Sequence, residues 1–266
     1  MTAEGLHDLM IDVDALAERL DHAAFNAVAI AQLEAKISLA DAYAVQRASI
    51  ERRLGRGETR IGIKMGFTSR AKMVQMGVSD LIWGRLTSGM LIEDGGSIAL
   101  ANYVHPRVEP EIAFLIGKPL AGRVTPLQAL SAVDGVAPAL EVIDSRYQNF
   151  RFSLTDVVAD NSSASGFVVG QWSRPDVDLS NLGLIMACDG RAQAFGSTAA
   201  IMGHPLRSLV AAARVLADAD DELVPGDIVL AGAATAASAL VAGTVVSLEM
   251  QTLGRCGFRV ATRDAS

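Results

Sequence analysis

Cysteine is scarce in this sequence. Cys188 and Cys256 are the only two in 266 residues, and their spacing fits neither a metal site nor a redox pair. That excludes a disulfide framework and makes a reduced, cytoplasmic protein the default expectation. Long apolar runs are also missing. No stretch reaches the ~18 residues that a membrane helix needs, although half of the residues are hydrophobic and the mean hydropathy is +0.31. The hydropathy comes from alanine-rich stretches such as 210–219 and from short valine and isoleucine runs, and an apolar surface reserved for subunit contacts would add to it. The N-terminus lacks a basic segment followed by an apolar one, which argues against secretion. Positive charge is short as well. A net charge of −7 leaves no broad cationic footprint for nucleic acid, yet it permits a small anionic substrate in a locally cationic site. With only 20% of residues charged, the chain can bury a large core, so disorder is excluded. It holds no internal repeat.

What is present divides near residue 57. Residues 1–57 read as helical, with Ser38 and Asp41 spaced as a capping box. Leu39, Ala42, Tyr43, Ile50 and Leu54 follow on one helical face. The run Gly55-Arg56-Gly57-Glu58 marks the boundary, and residues 58–266 change texture to short strands punctuated by glycine and proline. Ile61, Ile63 and Met65 alternate with Gly62 and Lys64 as in a strand. A short helix capped by Thr68 or Ser69 and ended by Gly77 follows. A strand is predicted over 108–116. A helix then opens at Thr125-Pro126 and runs through Leu127, Leu130 and Val133 to Gly135, ahead of a strand over 139–143. Asp189-Gly190 joins a hairpin, His204-Pro205 opens a helix to about Asp218, and three strands lie near 228–230, 245–250 and 257–260. Many short strands with few helices between them predict an irregular α+β fold, not a doubly wound sheet.

The chemistry concentrates in a few residues. Glu109 and Glu111 stand at i and i+2 on a predicted strand, so both side chains leave one face. Such a pair is ordinarily solvated, but Val108, Ile112, Phe114 and Ile116 mark the other face as buried. Glu141 lies in the apolar Ala139-Leu140-Glu141-Val142-Ile143, where an unpaired carboxylate is costly and a buried ion pair is the plain alternative. Three carboxylates without clustered cysteine or histidine suit a hard cation such as Mg²⁺ or Mn²⁺. Lys64 is a cation in an apolar strand between two glycines; it either snorkels to the surface or meets a substrate anion. Asp144-Ser145-Arg146-Tyr147 and Asp160-Asn161-Ser162-Ser163 are polar clusters of the kind that usually build turns. His105 and His204 precede prolines and read as turn residues.

These same segments carry a resemblance. Lys64-Met65-Gly66-Phe67-Thr68-Ser69, His105-Pro106-Arg107-Val108-Glu109-Pro110-Glu111, Glu141-Val142-Ile143-Asp144-Ser145-Arg146-Tyr147, Asp160-Asn161-Ser162-Ser163 and Leu230-Ala231-Gly232-Ala233 before Thr235 are involved. Together they resemble the branch of the fumarylacetoacetate hydrolase superfamily that holds 2-oxopent-4-enoate hydratases and 4-oxalocrotonate decarboxylases. The resemblance implies a mixed β-roll or sandwich core of the C-terminal type with an N-terminal helical region. It implies Mg²⁺ or Mn²⁺ on Glu109, Glu111 and Glu141, a catalytic Lys64, and substrate contacts at Ile82, Arg146, Ser162, Ser163 and Thr235. It also implies a homo-oligomer, and a complex with the cognate 2-oxopent-4-enoate hydratase.

Within the branch, hydratases carry an Asp-Phe-Gly segment downstream of the lysine, and here Leu81-Ile82-Trp83-Gly84 puts Ile82 at the aspartate's place. An apolar wall favours turning a carboxylate into neutral CO₂. The expected activity is therefore a lyase reaction on a 2-oxo dicarboxylate, decarboxylation of 2-oxo-3-hexenedioate, with hydration of a 2-hydroxydienoate as the alternative. Arg70, Arg146 and Arg151 are the candidates for the distal carboxylate. Pro110, between the two glutamates, predicts an edge strand or a bulge.

Overall fold

The computed structural model describes residues 11–33, 37–68 and 81–262. Helix α1 (Val13–Phe25) is capped by the Asp12 carboxylate, and α2 (Leu39–Gly55) by the Ser38–Asp41 capping box. The buried stripe of α2 is Ala42, Val45, Gln46 and Ile50, while Leu39 is exposed. The helix is turned so that small and branched residues meet its neighbours and Gln46 points inward. There the amide donates to the carbonyls of Trp83 and Val158, which satisfies two carbonyls otherwise shut off from water.

The larger sheet runs in the order β2 (Ile82–Thr87), β1 (Arg60–Gly66), β10 (Ile228–Leu230), β5 (Arg107–Ile116), β6 (Val133–Ile143), β7 (Ala164–Val169) and β3 (Leu91–Ile92); β11 (Ser238–Ala239) also pairs with β5. The smaller sheet runs β4 (Ser97–Ile98), β13 (Gly254–Val260), β12 (Val245–Met250), β8 (Gly183–Cys188) and β9 (Arg191–Ser197). Val108, Ile112, Phe114, Leu140 and Val142 of the first share one buried cluster with Met186, Val246, Leu248 and Phe258 of the second. One face of the larger sheet is thereby committed to the core. Its other face carries Lys64, Glu109, Glu111 and Glu141, because side chains alternate along a strand.

Helices α3 (Pro126–Ser131), α4 (Leu154–Ala159) and α5 (Pro205–Ala217) complete the fold. No helix among the described residues is long and apolar enough to cross a membrane. The β8–β9 hairpin turns at Asp189 and Gly190, both with positive φ, as a two-residue turn requires. His204 caps α5, its Nδ1 accepting the Leu206 N–H.

Two expectations end differently. Helix α3 stops at Ser131, Leu127 is exposed, and Val133 already belongs to β6. Pairing of residues 133–137 with β5 outweighs the helical spacing that continued through Val133. Pro110 sits neither at an edge nor in a bulge: β5 is flanked on both sides, and the ladder to β6 runs unbroken from Glu109 to Glu111. Its carbonyl accepts from Ala234, so the side lacking an N–H faces the connection between β10 and β11, where no ladder bond is lost. The short helix expected after Thr68 lies outside the described residues.

Candidate metal and substrate site

The antiparallel register of β5 and β6 sets Glu109 directly opposite Glu141, with Glu111 two residues further along. One oxygen from each of the three carboxylates lies within 4.8 Å of the others. All three are buried, Glu111 and Glu141 completely. Glu111 Oε2 accepts the Gly232 N–H at 2.7 Å, while Oε1 of Glu111 and Oε1 of Glu141 accept no hydrogen bond from the described residues. Buried carboxylate oxygens left this way are costly unless a proton or cation lies between them. An all-oxygen donor set of this kind fits a hard divalent ion.

Lys64 comes from β1, two strands from β5, and is 4% exposed. Its Nζ is 3.1 Å from Glu141 Oε2 and donates to the Ser162 carbonyl at 3.1 Å. The snorkelling alternative is thereby excluded. Burial acts to lower the Lys64 pKa, but Glu141, Glu111 and Glu109 outweigh it and the ammonium is held above its ordinary range. Burial drives Glu111 well above the usual carboxylate range, with Glu141 pushing the same way against Lys64. Glu141 is raised by burial too, less strongly since Lys64 lies against it. Among the described residues, Lys64 stands against the three acids.

Asn161, Ser162 and Ser163 follow α4 in three consecutive left-handed conformations, a strained backbone of the sort that collects at functional sites. The strain is held from outside. Ser162 Oγ donates to the Trp83 carbonyl and Asn161 pairs with the backbone of Arg85. Gly84 makes this possible, since a Cβ there would fall 2.4 Å from the Asn161 carbonyl oxygen. Ser163 Oγ is buried and has no hydrogen-bond partner among the described residues.

These groups head a cavity of about 300 Å³ whose lining includes Lys64, Glu109, Ser162 and Ser163. Its apolar wall is built by Phe67, Ile82, Phe150, Phe152 and Val157. Ile82 is packed against Gly66, where a Cβ would stand 2.8 Å from its Cγ1.

Two expected contacts lie elsewhere. Arg146 is locked to the Asp160 carboxylate, to the Asp160 carbonyl and to Ser165 Oγ, and does not line the cavity. Burial outweighs Arg146 and leaves the Asp160 carboxyl raised to about 6. Thr235 turns towards Gly196 of β9, leaving Ala233, Ala236 and Ala237 at the cavity. Of the other arginines named from sequence, Arg151 is exposed and not in the lining, and Arg70 lies outside the described residues. His105 and His204 do not line it either. The cation that sequence reasoning passed over is Arg107, which does line it. Its signal was spacing: residues 107, 109 and 111 share one face of β5.

Comparison with known proteins follows this geometry. The Fumarylacetoacetate (FAA) hydrolase C-terminal profile matches residues 64–261. The chain is similar to a 4-oxalocrotonate decarboxylase of a Pseudomonas species, 57% identical over 248 residues, covering 92% of this chain and 97% of the relative. A 2-keto-4-pentenoate hydratase of Paraburkholderia xenovorans is 34% identical over 217 residues, covering 80% of this chain and 81% of the hydratase. Among solved structures, 4-oxalocrotonate decarboxylase from Pseudomonas putida G7, complexed with magnesium and adipate, superposes with a TM-score of 0.90 at 37% identity, covering 93% of this chain and 97% of the other.

Proposed function

The chain belongs to the fumarylacetoacetate hydrolase family, and from that premise we propose that it is a metal-dependent carboxy-lyase that converts 2-oxo-3-hexenedioate into 2-hydroxypenta-2,4-dienoate and CO₂. One observation carries the choice between decarboxylation and hydration. Among the described lining residues Glu109 is the sole carboxylate, and it stands at the head beside Lys64. The rest of that described wall offers no acid to work on water, and the relatives with higher identity are decarboxylases.

Glu109, Glu111 and Glu141 would hold Mg²⁺ or Mn²⁺, which would supply Lewis-acid chemistry at the head of the cavity. Lys64 has three N–H donors. One is given to the Ser162 carbonyl and the ammonium also pairs with Glu141 at 3.1 Å, which leaves an N–H for the substrate oxygen on which charge develops. The free Ser163 hydroxyl supplies a further donor at the same end. As the bond to the distal carboxylate breaks, its electron pair becomes the terminal double bond. The conjugated pair shifts towards C2, and the carbonyl pair moves onto oxygen, where a proton completes the enol. Phe67, Ile82, Phe152 and Val157 keep water from the departing group and favour loss of its charge.

The chain divides into an N-terminal part, residues 1–57, whose α1 and α2 serve as a cover, and a catalytic part, residues 58–266; Gln46 supports this by tying α2 to β2 and α4. We also infer a cytoplasmic homo-oligomer working in aromatic meta-cleavage catabolism, with a cognate hydratase bound to receive the dienol. A relative is named for hydrating 2-keto-4-pentenoate, the keto form of that dienol, which supports the order of the two reactions. Purified protein given Mg²⁺ and 2-oxo-3-hexenedioate should release CO₂ and scarcely hydrate 2-hydroxypenta-2,4-dienoate. The reverse pattern would transfer the chain to the hydratases.

A further inference from the structure

We infer that Arg107 grips the distal carboxylate of the substrate and thereby makes the site select diacids over monoacids. The inference rests on the proposed decarboxylase reading and adds to it a residue that sets specificity. Lys64 and Arg107 are the cations among the described residues that line the cavity, and Lys64 is already committed to Glu141 and Ser162. Arg107 has no such commitment. It makes no side-chain hydrogen bond or ion pair with a described residue, and its guanidinium lies 4.4 Å from the centroid of the Phe150 ring. Contact with the ring holds the guanidinium in place, and its N–H groups, unpaired among the described residues, can take a carboxylate in bidentate fashion.

Position along the strand agrees with this. Arg107 is the next residue on the same face of β5 outward from Glu109. One such step spans ~7 Å, about the separation of the end carboxylates in an extended six-carbon diacid. A 2-oxo acid head seated at Lys64 and Glu109 therefore brings its far end to Arg107. Among the described residues the other candidate arginines do not compete: Arg146 is closed off by Asp160 and Ser165, and Arg151 does not line the cavity.

The chemistry gives this contact a distinctive kinetic signature. The carboxylate that Arg107 holds is the one that leaves as CO₂, so the attraction weakens as the transition state forms. Arg107 thus favours binding of the dianion over the monoanionic product and does not speed the bond-breaking step. Its removal should raise KM and leave kcat unchanged or slightly higher.

The test uses Arg107→Met and Arg107→Lys in the Mg²⁺-loaded enzyme. In Arg107→Met, KM for 2-oxo-3-hexenedioate should rise on the order of 10- to 100-fold, the range for loss of a charge-assisted contact. Inhibition by adipate should weaken as much, while inhibition by hexanoate should stay within about two-fold. Arg107→Lys, which keeps the charge without the fork, should fall between the two, and it carries the test if the methionine variant does not fold. A fall in kcat at unchanged KM, or equal losses for adipate and hexanoate, would overturn the proposal. Wild-type CO₂ release reports separately on the decarboxylase reading, because discrimination between adipate and hexanoate requires no turnover.

Discussion

Replacing Ile82 by aspartate is the sharpest test of why this cavity removes CO₂ and does not add water. Ile82 is 3% exposed, lines the cavity and is braced by the glycine-sized gap at Gly66. A carboxylate there would face the substrate's distal carboxylate across an apolar pocket. Two unit charges ~5 Å apart at an effective dielectric of ~20 repel by roughly 3 kcal/mol, which predicts a loss in kcat/KM on the order of 10²-fold. The substitution also removes a buried apolar side chain, at a cost of about 2–4 kcal/mol in stability, so melting must be followed alongside turnover. Ile82→Asn separates the effects, since it repeats the change of size and polarity without the charge. The assay is CO₂ release from 2-oxo-3-hexenedioate against pH. The aspartate variant should lose much more than the asparagine variant at neutral pH and should recover in part as acid neutralises the new group. Equal losses in both variants, independent of pH, would refute the electrostatic argument and reduce Ile82 to a packing residue.

The remaining predictions concern the head of the cavity. Glu109→Gln and Glu141→Gln should each cut turnover by several orders of magnitude with the fold retained by circular dichroism. Exhaustive EDTA dialysis should do the same until Mg²⁺ or Mn²⁺ is returned. Lys64→Met keeps the stem and removes the charge, so it should cost about 2–4 kcal/mol of transition-state stabilisation, or roughly 10²- to 10³-fold in rate; near-normal turnover would sink that role. Burial keeps Glu111 above its ordinary value of 4.5 in the cation-free protein. Its contribution to stability is therefore present below that value and lost as pH rises through the raised one. Cation binding expels the proton, so affinity for Mg²⁺ should rise with pH. The gap in Tm between Mg²⁺-loaded and EDTA-treated protein should widen in the same direction, as scanning calorimetry would show.

The parts of this protein that the sequence declares by itself are those governed by short-range geometry. A strand's two-residue period puts Glu109 and Glu111 on one face, and the apolar setting of Glu141 marks its carboxylate as buried. The caps at Ser38 and Thr125 were legible because each needs only a side chain and the N–H groups two or three residues ahead. The hairpin at Asp189-Gly190 was readable for a similar reason. Each of these depends on chain already within reach.

Where each charge is spent was decided only by the tertiary structure. Arg146 had the look of a substrate-binding cation until the chain folded back and set Asp160 and Ser165 against it. Arg107, at the start of a strand where a solvated arginine is ordinary, became a cavity residue through Phe150, more than forty positions away. Helix α3 gave up its last predicted turn because β5 offered the same residues a ladder, and Pro110 found a harmless place in a central strand. Lys64 is held by Glu141 and Ser162, from segments far along the chain. The physical reason is common to all of them. Local periodicity fixes the direction in which a side chain leaves the backbone, whereas its partner is chosen by which distant segment is packed within about 3 Å of its end.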